Sequence, residues 1–157
     1  KNKFLPEKIT RAVQNANFEI INKLSLDEIN GLSNLYMGSG RPLIFDTLDA
    51  FNSLNVLSKF IELGANVNAI DTGFPSRSVL YHAVKYGSHI NLIKKLVESG
   101  ANVNFTSSNI EDDFPRSTIG TALFYRKYEV VEYLKSNKAK FIPNEESNIL
   151  DYLSQNK

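Results

Sequence analysis

The residues able to do chemistry are few, and their spacing does not assemble a reaction. His82 and His89 are the only imidazoles, seven positions apart. That is not the i, i+4 pair of a zinc protease helix, so packing and surface roles outrank metal binding. Glu111, Asp112 and Asp113 form an acidic cluster that would suit a cation or steer a basic partner. A calcium loop distributes oxygen ligands over about a dozen residues around a central glycine, and that pattern is missing, so a solvated acidic loop is the plainer reading. Gly38-Ser39-Gly40-Arg41 has the small residues of a phosphate-cradling turn but neither its lysine nor a preceding strand, so a turn between elements explains it. Asn104-Phe105-Thr106 spells a glycosylation sequon, but its asparagine also belongs to a repeated motif. Glu145-Glu146 reads as a helix first turn, where carboxylates face the positive end of the dipole. With no serine–histidine–acid arrangement either, the sequence assigns no catalytic residue, metal ligand or cofactor. A hydrolase or ligand-binding enzyme built on a groove is the least supported reading.

Composition narrows the partners. In 157 residues, 18 basic side chains face 17 acidic ones, a net charge of +1. No cationic excess exists to neutralise phosphates, which argues against nucleic acid. The absence of cysteine excludes disulfides, thiolate metal sites and cysteine nucleophiles. No apolar run reaches the roughly 18 residues that would span a bilayer, so membrane insertion is not expected. The first residue is Lys1, which leaves room for a removed signal peptide. The compartment stays open: the cytoplasm is preferred, and a periplasmic or secreted location follows if a leader was cleaved.

What must position these residues is a repeat. ELGANVN at Glu62–Asn68 returns as ESGANVN at Glu98–Asn104, offset by 36 residues. A period of that length marks stacked supersecondary units. In the clearest one, Leu80, Ala83 and Val84 take helical spacing and Gly87 ends the helix. Ile90, Ile93, Leu96 and Val97 then mark a second helix, stopped by Gly100. Upstream, Pro42, Leu43 and Ile44 open a segment, with Pro42 suited to a helical first turn; Val56, Leu57, Phe60 and Ile61 form its second helix before Gly64. Downstream, Ile119, Ala122 and Leu123 precede Val130, Val131, Tyr133 and Leu134, and Lys138 stands where a glycine stop belongs. Ile9, Ala12 and Val13, then Phe18, Ile20, Ile21 and Leu24, fit a further unit with no glycine stop. Ile149, Leu150 and Leu153 suggest a lone closing helix.

These strings resemble the ankyrin repeat. Gly64–Asn68 and Gly100–Asn104 match its Gly-Ala-Asp-Val-Asn stretch, and Arg41–Asp46, Ser78–Ala83 and Ser117–Ala122 occupy its Thr-Pro-Leu-His-x-Ala opening. The likeness runs from about Lys8 to Phe141. It implies an all-α ankyrin-repeat solenoid of about four helix-turn-helix units, approximately 6–30, 41–70, 77–105 and 116–141, with extended finger loops and a C-terminal capping helix at 144–155, all in one domain. Departures are expected to matter. The family's histidine gives way to Ile44, Tyr81 and Gly120, so the polar ties between units should weaken and apolar packing should carry more. Asp46 stands at a small alanine position and should be partly buried. Irregular geometry is expected around Asp49–Asn55.

The resemblance implies a protein–protein interaction module, not an enzyme, that grips another protein along a concave face and its fingers. Phe74-Pro75-Ser76-Arg77 and Phe114-Pro115-Arg116 place an aromatic, a rigid proline and an arginine in the two longest fingers. Aromatics and arginine dominate interface hot spots. The expected partner-binding set is Phe74, Arg77, Lys85, Tyr86, Phe114, Arg116, Phe124 and Tyr125, with Glu111, Asp112 and Asp113 as an electrostatic rim. Against it stands simple packing of each ring on its neighbours. The expected form is a monomer that binds a toxin or a host protein, as a small bacterial inhibitor or immunity protein or as a secreted effector. The alternative is the ankyrin portion of a larger protein whose activity lies outside this chain.

Overall fold

The computed structural model describes residues 4–35, 40–73, 75–107 and 116–157. Among them the chain is mostly helical, and no strand or sheet forms. The helices are α1 (Glu7–Gln14), α2 (Phe18–Ile21), α3 (Leu26–Ile29), a 3-10 helix (Leu43–Asp49), α4 (Ser53–Glu62), α5 (Val79–Lys85), α6 (Ile90–Glu98), α7 (Thr118–Phe124), α8 (Tyr128–Ser136) and α9 (Glu145–Gln155).

Each helix buries the stripe its apolar spacing defines. Leu43, Ile44 and Phe45 of the 3-10 helix meet Val56, Leu57 and Phe60 of α4 in a core that also holds Val79, Leu80, Ile93, Leu96, Ile119 and Leu134. Each such side chain contributes about 1.5–3 kcal/mol by leaving water. The 3-10 helix packs on α1, α4 and α5. In turn α5 lies against α6 and α7, α6 against α4, and α7 against α8 and α9. Since no helix pair could bury its own stripe, the core is continuous from Ile9 to Leu153.

The backbone repeats more regularly than the letters do. Between the two helices of each pair one residue takes the left-handed conformation: Ala16, Asn52, Gly87 and Arg126. After the second helix of three pairs, Gly64, Gly100 and Lys138 do the same. Lys138, at φ 68, shows that the stop survives without glycine. The first unit has no such residue after α2. That helix is a single turn, and a further one-turn helix, α3, follows it under a capping box made by Ser25 and Glu28.

Several expectations are corrected. Pro42 is not in the first helical turn; it precedes it in extended backbone (φ −58, ψ 147), and the helix it opens is 3-10 rather than α. The irregularity expected at Asp49–Asn55 appears as that 3-10 segment and the left-handed Asn52. Leu150 does not help close the stack: it is 49% exposed while Ile149 and Leu153 are buried. Asp46 is fully rather than partly buried, at 2% exposure.

Asparagine side chains make polar ties from one loop to the next. Asn30 Nδ2 donates to the Gly64 carbonyl (3.2 Å) while its Oδ1 accepts from Asn66 N (2.8 Å). Asn68 repeats both bonds on Gly100 and Asn102 (3.2 and 2.8 Å), and Asn104 Oδ1 accepts from Lys140 N (2.9 Å). The asparagine ending each GANVN string thus ties one loop to the next, which also accounts for Asn104 without glycosylation.

Candidate binding surface

The loops that lead into α5 and α7 are closed at their bases by antiparallel bridges, Ile70 with Ser78 and Thr106 with Ser117. Asp71 N donates to the Arg77 carbonyl (3.0 Å) and Ser107 N to the Arg116 carbonyl (2.7 Å). Phe74, Glu111, Asp112, Asp113 and Phe114 lie outside the described residues. Arg77 and Arg116, both half-buried, stand where the loops rejoin the body.

Beyond the bridge, Ser78 caps α5 by accepting from Tyr81 N (3.1 Å). Leu80, Ala83 and Val84 face the core. That register leaves His82, Lys85 and Tyr86 toward the other side. Tyr86 is 58% exposed, with the Arg77 guanidinium 5.4 Å and the Lys85 ammonium 5.9 Å from its ring centre. Both distances suit cation–π attraction. Behind it, the His82 ring lies 4.6 Å from Tyr86 and meets Phe45 edge-on at 5.4 Å. Burial, then the positive charges of Arg41, Arg77 and Lys85, push His82 down to about 3, so its imidazole is neutral at physiological pH.

Arg41 joins this cluster from the preceding unit. Its guanidinium sits 5.6 Å over Phe45, 3.2 Å from Asp46 Oδ1 and 3.6 Å from Asp49 Oδ2. The contact to Asp46 is close enough for an ion pair but lacks hydrogen-bond alignment. Ser33 Oγ donates to the other Asp46 oxygen. Burial still dominates and raises the Asp46 carboxyl to about 6; the Ser33 and Arg41 contacts oppose that, and Asp49 adds to it.

One unit on, Phe124 is half-buried, stacked on Tyr152 of α9 at 5.2 Å and edge-on to Tyr125 at 5.1 Å. Tyr125 is 42% exposed and occupies the C-cap of α7, as Tyr86 does for α5. Of the expected set, then, Arg77, Lys85 and Tyr86 come together, and Phe124 and Tyr125 form a second aromatic group. Arg116 engages through its backbone, its N–H facing Glu145 Oε2 at 3.3 Å.

Sequence reasoning passed over Arg41, His82 and Tyr152 as parts of this surface. His82 sits one helical turn before Tyr86, a spacing that could have flagged it. Nothing local could have brought Arg41 or Tyr152 here. A shallow cleft of about 270 Å³ is lined by Ile29, Asn30, Pro42, Ile44, Asn66, Ala69 and Ile70. Among the described residues no group of three or more histidine, aspartate or glutamate side chains is placed to hold a metal ion, and no helix is long and apolar enough to cross a membrane. No protein-family model matches the chain, and no curated protein matches it significantly.

Proposed function

We propose that this chain is a protein-binding module of the ankyrin-repeat kind: about four helix-turn-helix units, closed by α9, that dock a partner protein on the inner helix ends and finger loops. The observation that carries the reading is the exposed cation–aromatic group of Arg77, Lys85 and Tyr86, with Tyr125 at the equivalent position of the neighbouring helix. Exposed tyrosines held on packed helices offer contact area at low entropic cost. The repeated left-handed positions and the asparagine ties support the unit-by-unit organisation. The mechanism is steric. A preformed surface covers or recruits its partner, as an inhibitor or immunity protein covers a toxin or an effector engages a host protein.

The test begins with the product of a neighbouring gene as candidate partner and isothermal titration calorimetry against the purified chain. Tyr86→Ala and Phe124→Ala are each expected to weaken binding at least tenfold, the size of a hot-spot truncation. Unchanged affinity in both variants would move the interface elsewhere on the molecule.

A further inference from the structure

We propose that Arg77, Lys85 and Tyr86, backed by His82, form a subsite for the carboxylate side chains of a short acidic peptide segment on the partner protein. The inference rests on the protein-binding reading and assigns that surface its chemistry.

Three cations surround His82, and the two arginines are not balanced alike. Arg41 is matched by Asp46 and Asp49. The Arg77 guanidinium forms no ion pair among the described residues, and its buried Nε has no hydrogen-bond partner. Asp71 accepts instead from the Arg77 backbone N–H at 2.9 Å. With the guanidinium 5.4 Å over the Tyr86 ring, a planar donor fork is held in place on the half-buried rim of an exposed aromatic. Such a fork matches a carboxylate with two parallel hydrogen bonds. The Lys85 ammonium, on the same ring, adds a second positive charge. His82, kept neutral, adds none and fills the floor with its ring.

The size of the occupant follows from what borders the cluster. Asp49, exposed beside Arg41, and Asp71, hydrogen-bonded to the Arg77 backbone, limit how many carboxylates the cluster can hold at one time. One or two carboxylates in a peptide, with an apolar neighbour laid on Tyr86, satisfy the site.

The experiment is an NMR titration of the full chain with a hexaglutamate peptide at low salt, with hexalysine as control. Hexaglutamate is expected to shift the amides of Arg77 and residues 82–86, to bind with millimolar affinity that weakens as salt rises, and to raise the His82 pKa through the added negative charge. Arg77→Gln should weaken that binding at least tenfold. Lys85→Gln, at the last residue of α5, should weaken it severalfold. Lys94→Gln, whose ammonium lies over Tyr133 instead, should leave it unchanged. Equal binding of hexalysine, shifts confined to other residues, no detectable binding, or wild-type affinity in both Arg77→Gln and Lys85→Gln would overturn the proposal. Preference for a phosphotyrosine peptide over hexaglutamate would overturn the carboxylate assignment. If the natural partner still loses affinity with Phe124→Ala but not with Arg77→Gln, the acidic subsite fails while the protein-binding reading stands.

Discussion

Asp46 and Glu145 both carry carboxylates into the protein interior, and each meets a different kind of donor. Asp46 is held by side chains: the Arg41 guanidinium and the Ser33 hydroxyl. Glu145 is held mainly by backbone. Its oxygens accept from the N–H groups of Arg116 (3.3 Å), Ser117 (3.0 Å) and Ile142 (3.2 Å), and from the Ser117 hydroxyl. Ser117 in turn caps α7 through Gly120 N at 2.8 Å. A side chain at position 120 would run into the Glu145 carboxyl, so the glycine there makes room for this tie from α9. A buried acid that serves backbone donors is therefore part of how the last helix is attached. Asp46, whose carboxyl pKa burial raises, is a source of pH dependence beside the proposed binding surface.

Breaking the first arrangement should have the largest effect. Glu145→Ala leaves four donors without an acceptor, and an unsatisfied buried donor costs about 1–3 kcal/mol. With partial relaxation to water, a loss of about 3 kcal/mol is expected in urea unfolding, together with early exchange of the α9 amides. A loss below about 1 kcal/mol would show that α9 is attached by apolar contacts alone.

The second arrangement predicts a sign. The native Asp46 carboxyl titrates near 6 against an ordinary 3.8. Between those values the native state holds more protons than the unfolded state, so this group's contribution to stability falls as pH rises through that window. Two pKa units correspond to about 3 kcal/mol. The stability of wild type relative to Asp46→Asn should drop by about 2–3 kcal/mol from pH 4 to pH 7. A relative stability that climbs instead would mean that Arg41 and Ser33 outweigh burial. His82 works in the opposite sense. It is depressed to about 3, so the unfolded chain gains a proton that the native state refuses. Stability relative to His82→Gln should fall as pH is lowered from 6.5 toward 3, and a flat difference would place the imidazole in water.

Smaller effects test the turns between these regions. Gly100 sits at φ 99 with open space around a built Cβ, so Gly100→Ala should cost only the left-handed backbone strain, about 1–2 kcal/mol. Lys138→Gly should do the reverse. Relief of about 1 kcal/mol of strain, less the entropy of a freer unfolded chain, leaves a gain of about 0.5 kcal/mol in the denaturation midpoint.

Helices were legible wherever a full apolar stripe was present. Ile90, Ile93, Leu96 and Val97 fall within α6, and Val56, Leu57, Phe60 and Ile61 within α4. The first unit was less so: α2 is too short for periodicity to define, and α3 is announced mainly by its capping box. Of the candidate surface, Arg77 could be named from the Phe-Pro-Ser-Arg-Ser string, and Lys85, Tyr86, Phe124 and Tyr125 because the resemblance to an ankyrin repeat turns those positions toward a groove. Phe74, Glu111, Asp112, Asp113 and Phe114 stay expectations of the sequence. Tyr152 was out of reach, because its place against Phe124, 28 positions earlier in the chain, depends on how α9 folds back.

Local spacing alone determined the helix stripes, the glycine stops at 64 and 100 and the 36-residue period, since each depends on conformations a few residues can choose by themselves. Tertiary structure decided the partners of the polar groups. Whether Asp46 meets Arg41, Asn68 reaches the next loop or Glu145 caps a distant helix depends on which units lie side by side. Burial then makes each of those pairings obligatory, because a carboxylate or amide removed from water must find a donor or acceptor wherever the packing has brought one.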